Sequence, residues 1–527
     1  MLNNVRDFYA VGDGIKDDRA AIQAAIDDAV SKNKGGILFP PGTYRVSRVT
    51  VQGGRWSIDL NGVQDFMVVG EGPKSVVKLM DTAPAGNWHV FILRNNCRRI
   101  VFKDLVIDGN RTGLTNPDEQ SHGIEVEAGT EDLVVDRCVL RECFGDGMRL
   151  LGAPGQNVKR LRIANSLFQK NKRSGLAIQR ALEQVIITNC IFDATVTDQS
   201  IDIEPSGTDG PTELLIQGCI INHTNKTPAV TLSGISGPDP LVRCKFSDNM
   251  VIGGHIFCTD VDQLTIQNNT ILVTNLGTVQ RIPVYVALGG DSVIITGNLL
   301  VNDNPFTKSV ISLEGKRQVT RALVANNLCF ARSGIGIQCL SSDEVAIQNN
   351  MVVATDSCGK GILLRSESSS MDNISVRDNE VTVRGAGRWE FGILLAADPQ
   401  SIGHVSVIGN SVRGADKGIK FVKGTESEAR FTQTPICSLN RIAADVTSPI
   451  VGLTDLPAAS IVVGGMASRG GTSKNSGAGR FIAGLGDPNT KIQGNVGDIF
   501  QRLDGGAAST LYVKESGNET NTGWTAK

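Results

Sequence analysis

The sequence predicts an all-β fold, a parallel β-solenoid of about twelve coils, capped by a helix at its N-terminal end and followed by a small C-terminal β module. Three observations predict it. A short phrase, an apolar stretch, a polar step and a second apolar stretch, recurs at near-constant spacing between Cys138 and Asn440. Within each recurrence the apolar residues alternate with a period of two, the pattern of a strand buried on one face. Helical periodicity is confined to one segment ahead of the first recurrence, Ala21/Ile22, Ala25/Ile26 and Ala29/Val30.

Taken in order, the chain opens with "DFYAVGDGIKDDRAAIQAAIDDAV" from Asp7 to Val30. Its apolar pairs share one helical face, and Asp17 or Asp18 can cap the N-terminus. Stacked coils leave their apolar interior open at each end, so this amphipathic helix reads as the lid. "DGIKDD" has the acidic spacing of a calcium loop but lacks a full ligand set and the closing Glu, so it reads as a turn. Together with "GGILFPPGTYRV" at Gly35 to Val46, it forms a cap over residues 1–50.

The β-helix is assigned to residues 51–455. Its steps fall at Cys138, Ser166, Cys190, Cys219, Asn249, Asn269, Asn298, Asn327, Asn350, Asn379, Asn410 and Asn440. The mean period is roughly 27 residues, within the solenoid range. Asn at the step is expected to take the left-handed turn itself and to hydrogen-bond to the Asn stacked on it. Three cysteines occupy the same slot, and the eleven in the chain include no CxxC pair. They read as buried thiols rather than as a disulfide framework or a zinc site. Gly, Ala and Ser then dominate a linker at 456–488, and alternation resumes around "LDGG" in a C-terminal module at 489–527.

A net charge of −2 gives no general attraction to nucleic acid or a membrane surface, and neither partner is expected. No stretch reaches the ~18 consecutive apolar residues of a membrane-spanning helix. "MLNNVRDFYAVG" lacks the basic and apolar regions of a signal peptide.

Residues flanking the inward pairs face outward and stack from coil to coil, so their order maps a surface. The first four coils present Glu125/Glu127, Arg149/Leu151, Ala177/Gln179 and Asp202/Glu204, with His122, Asp146 and Arg180 at strand ends and Asp108 just upstream. In "QSIDIEPSG", Asp202 and Glu204 leave the same face of one strand, a spacing suited to the two carboxyl groups of an inverting glycosidase. Either can instead pair with Asp146 two coils away, and a merely solvated acidic strand also stays open. Crowding raises the pKa of one carboxyl and fits it for general-acid work. Asp202, Glu204 and Asp146 are thus the catalytic candidates. Arg149, Glu125, Glu127, Gln179, Arg180, His122 and Asp108 are candidates for binding sugar. Arg149 suits a substrate carboxylate, the base role of a lyase, or a salt bridge to Glu125 or Glu127. His89, His223, His255 and His404 lack a carboxylate-rich context and read as structural. Outward Phe257, Tyr285, Leu363 and Leu394 call for a cover.

The step repeat, preceded by the two opening motifs, resembles the pectate-lyase-like, right-handed parallel β-helix superfamily, in its phage tailspike and glycoside hydrolase branch, over about residues 5–455. The resemblance implies an enzyme acting on polysaccharide, read first as an endo-glycosidase. A lyase or uronate epimerase is the second reading and a non-catalytic glycan-binding tailspike or adhesin the third. It also implies a parallel homotrimer, although long loops folded over the sheet would cover the outward apolar residues equally well. With no signal peptide read, a phage virion and a cytoplasmic or non-classically exported bacterial protein both fit. "GDGM" at Gly145–Met148 is similar to the Asp-Gly step of polygalacturonases, but their Asp-Asp, "GHG" and "RIK" motifs are missing. The "DPHE" signature of alginate epimerases is absent, although "DIEP" lies on a comparable strand. No metal or other cofactor is predicted; calcium is compatible with the acidic groove.

Overall fold

The computed structural model describes residues 1–49, 55–81, 86–115, 118–193, 197–205, 212–234, 241–274, 281–306, 308–314, 319–424, 430–433, 435–443, 445–451, 481–484, 487–489, 492, 494, 496–502, 510–517 and 520–527. They fall into two compact units, Met1–Thr265 and Ile266–Lys527.

In the first unit each coil contributes one strand to each of three parallel sheets. A representative coil runs through Ile124–Glu127, Glu131–Asp136 and Val139–Arg141 before the chain re-enters at Met148–Leu151. The sheet holding Ile124–Glu127 is here called the groove sheet. Successive coils pair in register: Ile124 lies against Met148, Val135 against Ile163 and Leu140 against Phe168. Alternation sends Ile124, Val126, Leu133, Val135 and Leu140 into a fully buried interior. Like residues stack there, as Phe168 does on Phe192, with ring centroids 4.7 Å apart and planes at 5°.

The helix spans Arg19–Ser31 and buries Ile22, Ala25, Ile26 and Ala29, while Val30, expected on the same face, is exposed. Asp17 Oδ1 accepts from the Arg19 N–H, whereas the buried Asp18 carboxylate accepts from the Val11 and Gly12 N–H groups and so ties down the preceding loop. Gln23 donates to Asp59 O and accepts from Asp59 N, satisfying backbone groups of Trp56–Asn61, the first strand of the groove sheet. The lid therefore covers apolar surface and also blunts a sheet edge. Asp13 accepts from the Ile15 and Lys16 N–H groups, which makes "DGIKDD" a side-chain-closed turn.

The second unit repeats the coil, for example Ser309–Leu313, Ala322–Ala325 and Leu328–Ala331, followed by Ile335–Leu340. At its C-terminal end Phe481–Gly484, Ile499–Arg502, Leu511–Lys514 and Trp524–Ala526 form a separate four-stranded sheet around Phe500, Tyr512 and Trp524. The first of these strands falls inside the stretch read as linker. Residues 456–480 and the "LDGG" turn lie outside the described residues. Leu363 and Leu394, expected to need a cover, are buried within their own unit beside Phe391. For those two residues, the premise of a covering partner chain falls away. Among the described residues, no helix is long and apolar enough to cross a membrane.

The steps differ from expectation in one respect. The left-handed conformation belongs to the residue before each step position: Asn268, Asn326, Asn349 and Asp378 have φ of 55°, 55°, 54° and 53°, and Gly297 has 68°. This frees the step Asn itself to point inward. Asn327 Oδ1 accepts from both the backbone N–H and the Nδ2 of Asn298, at 3.1 and 2.9 Å. Asn327 Nδ2 in turn donates to Ile295 O at 2.8 Å and to Asn350 Oδ1 at 3.0 Å. The same contacts repeat through Asn379, Asn410 and Asn440. Cysteine and serine fill the slot in the first unit, where the Cys138 N–H donates to Ser166 Oγ and the Cys219 N–H to Asn249 Oδ1. All eleven cysteines are buried and unpaired, and desolvation pushes the Cys138 thiol up to about 12.

Asn327→Ala orphans the buried Asn298 donors, so a stability loss of at least ~2 kcal/mol and a lower melting temperature are expected. Asn326→Gly, at the exposed left-handed position, should leave the melting temperature unchanged or slightly higher. Thermal unfolding of the two variants beside the parent chain checks both; equal losses would remove the ladder's structural role.

Candidate functional site

The register of the first unit's groove sheet sets the site. Glu125 lies beside Arg149, Arg149 beside Ala177, Ala177 beside Asp202 and Asp202 beside Thr231. Neighbouring strands are about 4.8 Å apart, so these side chains form one file across the coils. An outward file on a solenoid is normally solvated, yet Glu125 is only 4% exposed and Asp202 6%. Asp146 and His122, which precede their strands, and His89, which begins the strand His89–Arg94, are buried as well.

His122 is fixed from several sides. Its ring stacks on His89, with centroids 5.1 Å apart and planes at 4°. The Asp146 N–H donates to His122 Nδ1 at 2.9 Å, and Asp146 Oδ2 is 3.2 Å from the same atom. Gly145 leaves the ring its seat, since a Cβ there would lie 2.6 Å from Nδ1. Thus the glycines of "GDGM" serve close packing. Nε2 is 3.5 Å from Arg149 Nη1 and 3.9 Å from Glu125 Oε2. Arg149 is held by Gln179, whose Oε1 accepts from its Nε at 3.0 Å, and its Nη1 is 3.6 Å from Glu125 Oε1.

The three buried carboxyl groups diverge electrostatically. Desolvation raises Glu125 above the usual carboxylate range against the opposing pull of His122 and Arg149, and its Oε2 has no hydrogen-bond partner. Asp146 is equally desolvated, but His122, Arg173 at 3.8 Å and the Ser174 N–H at 2.9 Å hold it below its usual value. Asp202 is pushed up to about 7, first by desolvation and then by the charges of Glu204 and Asp146, and its Oδ1 lacks a partner. A cation, a carboxyl group poised near neutrality and an imidazole thus gather along one sheet.

The remaining candidates lie at its margins or elsewhere. Glu204 is exposed just past the Ile201–Ile203 strand and acts on Asp202 through its charge. Glu127 is half-buried, 3.8 Å from Arg55 Nη2. Arg180 is exposed in a left-handed turn. Asp108 belongs to a different sheet, where it accepts from Arg141 Nε at 2.8 Å and lines a separate polar pocket. It is no part of this cluster, because the strand carrying it ends before the chain turns toward the groove.

Three residues were missed. His89, set aside as structural, is the base of the His122 stack, and desolvation holds it neutral. The signal was register, since His89 and His122 each stand two residues before paired Phe91 and Ile124. Arg173 and Asp198, 3.8 Å apart, sit on the loops before two successive groove-sheet strands, which no strand period marks. His404 also has a carboxylate neighbour, Asp372 at 2.9 Å, on the surface of the second unit.

His89, His122 and Glu125 bring donor atoms within 4.8 Å of one another, the one such metal-capable group among the described residues. Parallel imidazole planes do not converge their lone pairs on a single ion, and the Arg149 guanidinium already faces two of the three residues. The arrangement suits a carboxylate better than a divalent cation.

Residues 2–225 match the family model described as rhamnogalacturonase A/epimerase, pectate lyase-like. Mannuronan C5-epimerase AlgE4 of Azotobacter vinelandii is 29% identical over 198 residues, which are 36% of this chain and 34% of that protein. Alginate lyase 7 of the same organism is 29% identical over 201 residues, 37% of this chain and 22% of that protein. The chain thus matches about a third of the length of the first relative and less of the second. Among solved structures, the A-module of A. vinelandii mannuronan C5-epimerase AlgE6 aligns over 84% of this chain and 99% of the module, at 18% identity and a TM-score of 0.37. The chain folds as a parallel β-helix, and residues 2–225, less than half of it, match the pectate-lyase-like family model.

Proposed function

We propose that the first unit's groove acts on a uronate-containing polysaccharide by moving the proton at C5, as an epimerase or a lyase, rather than by the paired-carboxylate hydrolysis first read from "DIEP". The supporting observation is Arg149, in one file with Glu125 on one side and, past Ala177, Asp202 on the other, with His122 Nε2 3.5 Å from its Nη1. A uronate carboxylate would exchange Glu125 for the Arg149 guanidinium. Ionised Asp202 takes the C5 proton, and the electron pair enters the carboxylate as an enediolate that Arg149 stabilises. Return of a proton from His122 to the opposite face completes epimerisation; expulsion of the O4 substituent, which takes that proton from His122 as it leaves, completes elimination. Relatives named as a C5-epimerase and a lyase agree with this chemistry. Hydrolysis retains one favourable observation, a carboxyl near pH 7 with Glu204 beside it.

Incubation with polyuronates in D2O, followed by NMR and absorbance, tests the reading. Deuterium at C5 or a 4,5-unsaturated product is expected, and Asp202→Asn should lower turnover at least ~100-fold. New reducing ends with neither signal would overturn it in favour of hydrolysis.

The pH profile gives a second check. As a base, Asp202 is active only when ionised, so kcat/KM should rise about tenfold per pH unit and level off above about 7. A general acid would give the opposite limb.

Stability should respond too. The folded-state value of about 7 exceeds the usual 3.8, so the folded form binds the proton more tightly and loses stability as pH rises between them. Asp202→Asn escapes that loss. Its melting temperature should match the parent's below about pH 4 and exceed it above pH 7, by a gain on the order of 4 kcal/mol.

A further inference from the structure

A second cluster stands apart from this chemistry, on the outer face of the groove-sheet strands in the second unit. Phe391 is 6% exposed and packs with Leu363 and Leu394. Register places Lys360 and Lys417 on either side of Phe391, and Lys420 beside Leu394. All three ammonium groups gather over the one ring, with Lys417 Nζ at 4.6 Å from its centroid, Lys420 at 5.0 Å and Lys360 at 6.0 Å.

The negative face of the ring attracts each cation, but three like charges over one ring repel one another. Nearby acids relieve little of that. Glu390 reaches only Lys360, at 3.9 Å. Asp416 is engaged by Arg388 at 2.8 Å and Asp398 by Arg365 at 3.2 Å. Among the described residues, no carboxylate lies within ion-pair distance of Lys417 or Lys420. In a chain of net charge −2, this is a local concentration of positive charge rather than part of a basic surface.

We propose that the Lys360–Lys417–Lys420 cluster over Phe391 is a binding site for a carboxylated polysaccharide, a second contact for the polymer class that the first unit's groove is read to act on. The choice of polymer rests on that reading; the anionic character rests on the lysines alone. Phe391 acts as a template, holding three flexible side chains where successive carboxylates of one glycan strand can meet them. Lys360 and Lys417 stand two strand spacings apart, roughly 10 Å at the backbone.

Affinity electrophoresis of the full chain in gels containing polymannuronate or polygalacturonate, with neutral dextran as control, tests the site. Retardation by the polyuronates alone is expected, weakening with salt. Lys417→Gln/Lys420→Gln should weaken binding roughly tenfold, and Phe391→Leu should weaken it in the same direction with no change of charge. Melting temperatures of the variants near the parent's establish that the fold is kept. Unchanged retardation of both variants, or equal retardation by dextran, overturns the site. Turnover of a short uronate oligosaccharide should stay at the parental rate in these variants. Lost binding in a protein that turns over no uronate leaves this site standing and removes the groove reading; normal turnover with unchanged binding does the reverse.

Discussion

In-register parallel pairing between coils is the constraint on which the rest of the structure depends. A strand has a side-chain period of two, so a slip of one residue would turn every inward side chain outward. The buried amide ladder guards against that. Each step Asn accepts from one neighbour's backbone and side chain and donates to the other neighbour, so displacement of one coil leaves several buried donors and acceptors unpaired. Functional side chains are placed by the same rule. Glu125, Arg149 and Asp202 share a file because Ile124, Leu150 and Ile203 share the interior.

Much of this was legible in the sequence because the solenoid writes one coil per repeat. Alternation located the inward pairs, and the spacing of Asn and Cys located the steps. The step's internal geometry was not legible, because Asn tolerates both a left-handed backbone and an inward ladder position. The glycines at 218, 297 and 409, immediately before step residues, were the discriminating signal. Asp108 was misplaced for a related reason: proximity in sequence to "SHGIEVE" says nothing about which of three sheets a strand joins. His89 was passed over because no acidic residue adjoins it in sequence; its importance comes from stacking one coil before His122. The lysines over Phe391 read as ordinary outward charges until their side chains are seen folding back over an aromatic ring, which also removes the call for a cover over Leu363 and Leu394.

Asp146 and Asp202 show how a regular scaffold produces unlike groups. Both are buried carboxyl groups at the same groove, and desolvation alone would raise both. Asp146 meets an imidazole, a guanidinium and a backbone N–H, and stays ionised. Asp202 stands two coils on, past Ala177, and meets mainly other carboxylates. Its Oδ1 has no partner, so its protonation is set by desolvation first and repulsion second rather than by a bond.

That contrast bears on how such a site can arise. Inter-coil backbone hydrogen bonds and the buried apolar interior fix the backbone whatever the outward residues are, so the scaffold tolerates an unpaired carboxyl group at one position and a fully bonded one at another. The Asp146 carboxylate ties in the Ser174 N–H of the next coil, whereas Asp202 Oδ1 bonds nothing. The cost of burying Asp202 is therefore borne by a core that has no other use for it, and an acid that is half-ionised near neutrality persists there. A globular site of similar polarity would have to draw its rigidity from the polar groups themselves. Here rigidity and reactivity come from separate sets of residues, one facing inward and one outward on the same strands.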